Sequence, residues 1–285
     1  MQAKLAGILV FTFTAEVLAQ PMPVNPLKQA LRDGRPLIGT TLTIPSAEVA
    51  ASLAATDFDF LWIEMEHSAI TLETAREMIL ATRGLKAIPI TRVPVNQPWL
   101  AKRVLDIGSF GVVFPFSSTR QLVEQAVASC KYPPAGIRGY SPGLAAGRWG
   151  MSASDYVQAA NANVLVIPII EEKQAVENIE EIAAVPGIDV LFIGANDLSF
   201  SYGVGGKLDD PLVVAAVDRV LAAAKRHGIA VGYPSGSPAE IQKMIERGLR
   251  FFQAGNDAGL MRQSAAEMFR QLLKPDGKGG FKIPY

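Results

Sequence analysis

Apolar residues along this chain fall into short runs, separated by stretches in which they return every three or four positions. The runs span Leu37–Thr41, Phe58–Ile63, Ala87–Val93, Gly111–Phe116, Val164–Ile170, Asp189–Ile193, Ile229–Tyr233 and Phe251–Ala254. They are nearly continuous in apolar character, as parallel strands covered on both faces must be. The stretches between them read as amphipathic helices: Ser46–Ala55, Leu72–Arg83, Trp99–Ile107, Thr119–Cys130, Gln174–Val185, Pro211–His227, Pro238–Arg247 and Gly259–Leu273.

Punctuation supports these limits. Asp210-Pro211 places an acidic cap before a proline at the first helical position, and Ser237-Pro238-Ala239-Glu240 is a capping box with the same proline. Gly84, Gly108, Gly228 and Gly248 stand where helices stop. Strand–helix alternation sustained to this length predicts a single-domain (β/α)8 TIM barrel of the α/β class over residues 22–273. The runner-up is a doubly wound open sheet. It would carry a glycine-rich first turn, which is missing here.

Two regions stand apart. Tyr132–Gly150 is rich in Gly and Pro and too long for a connector, so it reads as an excursion packing on the barrel or on a neighbouring subunit. At the start, Lys4, an apolar stretch over Leu5–Ala15 and then Val17-Leu18-Ala19 resemble a signal peptide cleaved after Ala19. The alternative is an upstream extension, with translation starting at Met22. The first reading makes the protein periplasmic or secreted, the second cytoplasmic. Both leave residues 1–21 outside the fold. Residues 274–285 are polar and read as a flexible tail.

Composition narrows the function. With 27 basic and 27 acidic residues there is no cationic footprint for nucleic acid, and no segment after the N-terminal stretch is apolar for long enough to span a membrane. The one cysteine, Cys130, excludes an internal disulfide and a cysteine zinc site; in an apolar helix it reads as a buried filler.

Candidate chemistry gathers just past the strands. Glu171 follows the fifth run and Asp197 the sixth. Two carboxylates leaving the same sheet edge can share a hard divalent cation and leave coordination positions open. They can equally be strand-end carboxylates bonded to helix N-termini. His67 follows Glu64-Met65-Glu66 and is placed to act as a base, or to be an ordinary loop histidine. Arg92 ends an apolar run, where either an anionic substrate or an acid on a neighbouring strand would satisfy it. Lys86 and Lys173 are badly placed for a Schiff base.

Together these residues resemble the HpcH/HpaI class II pyruvate-dependent aldolases, of the phosphoenolpyruvate/pyruvate barrel superfamily. The resemblance extends from about Asn25 to Leu273. It is carried by Glu66-His67, Ile90-Thr91-Arg92, Val104-Leu105-Asp106-Ile107-Gly108, Tyr132-Pro133-Pro134-x-Gly136-x-Arg138-Gly139, Arg148-Trp149-Gly150, Glu171 and Phe192-Ile193-Gly194-Ala195-Asn196-Asp197-Leu198-Ser199. It implies a lyase that reversibly cleaves a 4-hydroxy-2-oxoacid to pyruvate and an aldehyde. Glu171 and Asp197 would bind Mg²⁺, Mn²⁺ or Co²⁺. Arg92 would contact the 2-oxo oxygen, His67 paired with Asp106 would be the acid/base, and Ala195, Asn196 and Asp197 would hold the substrate carboxylate. It also implies a homohexamer with the last helix exchanged between barrels. Related barrels decarboxylate oxaloacetate, and a non-catalytic oxoacid binder is the remaining alternative. Glu64 stands where relatives often have Asp, Ile169 where several have Gln, and Asn196 where a small residue or proline is usual.

Overall fold

The computed structural model describes residues 25–272. The readings of residues 1–21 and 274–285 lie outside the described residues. Within them the chain alternates strand and helix as α1 (Pro26–Arg32), β1 (Leu37–Leu42), α2 (Ala47–Ala54), β2 (Phe60–Glu64), α3 (Leu72–Ala81), β3 (Ile88–Arg92), α4 (Pro98–Asp106) and β4 (Gly111–Phe114). There follow α5 (Arg120–Cys130), α6 (Gly143–Trp149), α7 (Ala153–Asn163), β5 (Leu165–Ile170), α8 (Lys173–Glu177), α9 (Ile179–Ala183), β6 (Val190–Ile193) and α10 (Ala195–Ser201). The chain closes with α11 (Pro211–His227), β7 (Ala230–Pro234), α12 (Pro238–Glu246), β8 (Phe251–Asn256) and α13 (Asp257–Leu272). The eight strands pair in sequence order, all parallel, and β8 returns to β1, which closes the barrel and discards the open-sheet alternative.

Alternation along each strand decides what fills the barrel. Leu37, Phe60, Trp62, Ile167, Phe192 and Phe251 point inward and pack as one cluster. Phe60 and Phe251 stack at 4.2 Å across β1, because Gly39 has no side chain there; a Cβ would lie 2.4 Å from the Phe60 ring. The lower end is closed by α1, whose Leu27 and Ala30 join the interior cluster. That helix is absent from the eight read in the sequence, though Asn25-Pro26 is a proper start: Asn25 Oδ1 accepts from Leu27 N–H at 3.0 Å.

Outside, amphipathic helices cover the strands. In α11, Val213, Ala216, Val217, Val220, Ala223 and Ala224 face the barrel. Burying a valine of this kind stabilises by roughly 2 kcal/mol. Asp210 caps the start of this helix and Gly228, at φ 66°, its end. The helix expected over Gln174–Val185 is broken at Asn178, whose side-chain amide donates to Ser118 carbonyl at 2.9 Å. Cys130 is fully buried in α5, and burial pushes its thiol up to about 12. The 132–150 excursion folds back onto its own barrel through α6, with Trp149 stacked on Phe110 at 4.0 Å.

Among the described residues, no helix is long and apolar enough to cross a membrane. The last helix buries little against its own barrel: Met261, Met268 and Phe269 are each more than half exposed.

Candidate active site

The same alternation that fills the barrel with apolar side chains brings polar ones to its upper rim. Glu64 is the next inward position of β2 after Phe60 and Trp62, and its Cα partner in β3 is Arg92. An in-register acid and base on adjacent strands meet directly. Arg92 Nε lies 3.1 Å from Glu64 Oε2, and Arg92 Nη2 lies 2.6 Å from Glu66 Oε2. Arg92 is therefore held by carboxylates of the neighbouring strand and its loop, one of the two environments its position allowed.

Glu64 gathers three hydrogen-bond donors and one ion pair. Trp62 Nε1–H donates to Oε2 at 3.1 Å, and the amides of Glu66 and His67 donate to Oε1 at 2.7 and 3.1 Å. Arg92 adds the ion pair, its Nε making no hydrogen bond of its own. Partners on both oxygens offset the cost of burying a carboxylate. The effect is to fix the path of the chain just after β2, which carries Glu66 and His67.

Glu171 leaves β5 into the same rim and is only 4% exposed. Its Oε1 accepts the Phe116 N–H at 2.6 Å. Phe116 adopts φ 50°, a left-handed conformation rare outside glycine. Strain of this kind persists only where the surroundings enforce it. On the other side, Gly194 approaches so closely that a Cβ there would lie 2.7 Å from Glu171 Cβ and 3.2 Å from Oε2. Burial pushes the Glu171 carboxyl up to about 7. The Phe116 N–H and Arg92 oppose that shift, while Asp197 and Glu66 reinforce it. Burial also raises Glu66, against the pull of Arg92.

Asp197 sits in the first turn of α10, which no side chain caps. Ala195 is buried there, while Asn196 and Asp197 are exposed. These residues, with Trp62, Glu64, Arg92, Glu171 and Gln253, line one cavity of about 130 Å³. The structure thus brings Arg92, Glu171, Ala195, Asn196 and Asp197 to a common space. His67 does not line it; the imidazole is largely exposed, with Nε2 3.8 Å from Glu66 Oε2.

Asp106 is elsewhere within the chain. It ends α4, the end of that helix nearest the start of β4, and Arg138 Nη2 donates to its Oδ1 at 2.8 Å. Arg138 is itself buried beside Tyr132 and Tyr156. Helices of a barrel run counter to its strands, so within one chain Asp106 and the loop after β2 lie at opposite ends. The sequence reading gave no role to Phe116, Thr41 and Gln253, and quoted Gly194 only within its motif. Only Gly194 offered a signal, as a glycine directly before the acidic turn.

The donors fit a hard cation. Glu171 and Asp197 present oxygen alone, and the burial that raises the Glu171 carboxyl outweighs the opposing pull of Arg92. Among the described residues no group of three His, Cys, Asp or Glu side chains is placed to hold an ion unaided. Two carboxylates would share the ion with water and substrate.

The closed (β/α)8 barrel, with carboxylates at its C-terminal rim, is of the class that builds its active site from the loops after the strands. The chain belongs to the HpcH/HpaI aldolase/citrate lyase family, which it matches over residues 41–264. It is similar to 5-keto-4-deoxy-D-glucarate aldolase of Shigella boydii, at 34% identity over 88% of this chain and 98% of that protein. Among solved structures, a family protein from Burkholderia cenocepacia superposes with TM-score 0.82 at 36% identity, covering 87% of this chain and 99% of that one. Macrophomate synthase superposes with TM-score 0.78 at 30% identity, covering 89% and 91%.

Proposed function

We propose that the protein is a divalent-metal-dependent aldolase that reversibly cleaves a 4-hydroxy-2-oxoacid to pyruvate and an aldehyde. The observation that carries this reading is Glu171: a buried carboxyl raised to about 7 beside Asp197 and facing Arg92 across a small cavity. Mg²⁺, Mn²⁺ or Co²⁺ held by Glu171 and Asp197 would supply a Lewis acid toward the 2-oxo group. Arg92 adds a fixed positive charge where the enolate oxygen develops, and its two carboxylate partners keep the guanidinium from swinging away. The uncapped amides at Ala195, Asn196 and Asp197 face the substrate carboxylate.

In the cleavage direction, His67 takes the proton of the 4-hydroxyl, directly or through water. The C3–C4 bond breaks, its electron pair becomes the pyruvate enolate, and the 4-carbon leaves as the aldehyde. A proton returned to C3 completes pyruvate. Asp106 has no place beside His67 of its own chain, so here His67 is oriented by the Glu64-bound loop and by Glu66. The exposed last helix supports a homo-oligomer in which α13 packs on a second copy, a hexamer by the family resemblance. The working location is the cytoplasm, and N-terminal sequencing of native protein decides it against export. The central test is removal of metal by chelation with assay of pyruvate release. Activity that survives chelation, with borohydride trapping of substrate on the enzyme, would replace this reading with a lysine mechanism.

A further inference from the structure

The barrel mouth has a wall that the proposed chemistry leaves unused. β8 and β1 meet there with an irregular register: Gly39 pairs with Gln253, but Thr41 pairs with Asn256, and Gly255 takes φ 72° between them. A bulge next to a site re-aims side chains. Here it lets the inward Gln253 amide donate from Nε2 to the buried Thr41 hydroxyl. Gln253 lines the same cavity as Glu171 and Asp197. Among the described residues no donor reaches Gln253 Oε1 and the Thr41 hydroxyl proton has no acceptor. Gln253 Oε1 is therefore an acceptor left unspent on the cavity wall, oriented by the bond that the same amide makes to Thr41.

A polar group left unspent beside a bound substrate disfavours an apolar neighbour and rewards a hydroxyl. The pyruvate half belongs with Arg92, Glu171 and Asp197, so the rest of the substrate extends toward this wall. Resting on the aldolase reading above, we propose that Gln253, oriented by Thr41, selects the aldehyde half, favouring a 2-hydroxyaldehyde over its deoxy counterpart.

The test compares glycolaldehyde with propionaldehyde, in which a methyl replaces the hydroxyl, as acceptors for pyruvate with Mn²⁺ present. The readout is the ratio of their kcat/KM values, which cancels differences in metal loading. Gln253→Leu is expected to lower that ratio by roughly tenfold and Thr41→Val by about threefold. A ratio unchanged within a factor of about two in both folded variants overturns the proposal. Should Gln253→Leu fail to fold, Thr41→Val decides alone, because valine keeps the shape of threonine. Exchange of the pyruvate methyl protons with deuterium oxide in the wild type reports enolate formation without any aldehyde. If that exchange is missing, the aldolase reading fails and this inference with it; if it is present, a flat ratio condemns the inference only.

Discussion

The rim of the barrel divides into two arcs of opposite character. From β2 through β6 it carries the ionisable side chains Glu64, Glu66, Arg92, Glu171 and Asp197. From β7 through β1 it carries Pro234, Gln253 and Thr41, all neutral. Both arcs stand on the same floor of Trp62, Ile169 and Phe192, so the contrast does not come from the scaffold. Charge placed in a confined, poorly hydrated space acts strongly on developing charge, which suits the bond-breaking end. Neutral hydrogen-bonding groups discriminate hydroxyl from methyl without attracting ions, which suits the recognition end.

Breaking the charged arc has the largest expected effect. Glu171→Gln removes one of the two carboxylates proposed to hold the metal and should lower pyruvate release by roughly a thousandfold, the rate equivalent of several kcal/mol of lost charge stabilisation. Arg92→Lys keeps the charge but loses the planar fork that spans Glu64 and Glu66. A fall in kcat of about a hundredfold, with a smaller change in KM, is expected from steady-state kinetics. Gly194→Ala adds a Cβ against Glu171 without touching any charge. Calorimetric titration should show Mn²⁺ affinity reduced by about tenfold while circular dichroism is unchanged.

A subtler effect concerns metal-free protein. The Glu171 carboxyl is raised from 4.5 to about 7 by burial, so folding favours its protonated form. The associated stability is present below pH 4.5 and is lost as pH rises through about 7. Thermal melts of chelated protein should weaken over that window by on the order of 2 kcal/mol, and Glu171→Gln should flatten the slope. Adding Mn²⁺ at pH 6 should release protons, which unbuffered titration detects. The smallest change belongs to the neutral arc, where the variants at Gln253 and Thr41 shift preference between acceptors.

Continuous apolar runs sufficed to read the strands and the closed barrel, because parallel strands covered on both faces leave no other pattern. The acids at 171 and 197 were legible because charge at the end of such a run is conspicuous. Thr41 and Gln253 were not, since neutral polar residues at strand ends are ordinary. Phe116 was hidden for another reason: its backbone conformation is imposed by a bond to a residue 55 positions away. The α10 turn was masked by its apolar lead-in over Val190–Ile193. Asp106 shows the limit of reading along a chain. Its sequence context matched the family, yet its observed partner is Arg138, across the fold.

Glu64 also works as a ruler. Two amides of the segment after β2 rest on one of its carboxylate oxygens, so the length of that side chain sets how far Glu66 and His67 stand off the strand. An aspartate at the same place would be shorter by one methylene and would draw the segment down toward the barrel. Exchanging these two acids is thus a way to adjust how far the imidazole stands off the barrel without altering the imidazole itself.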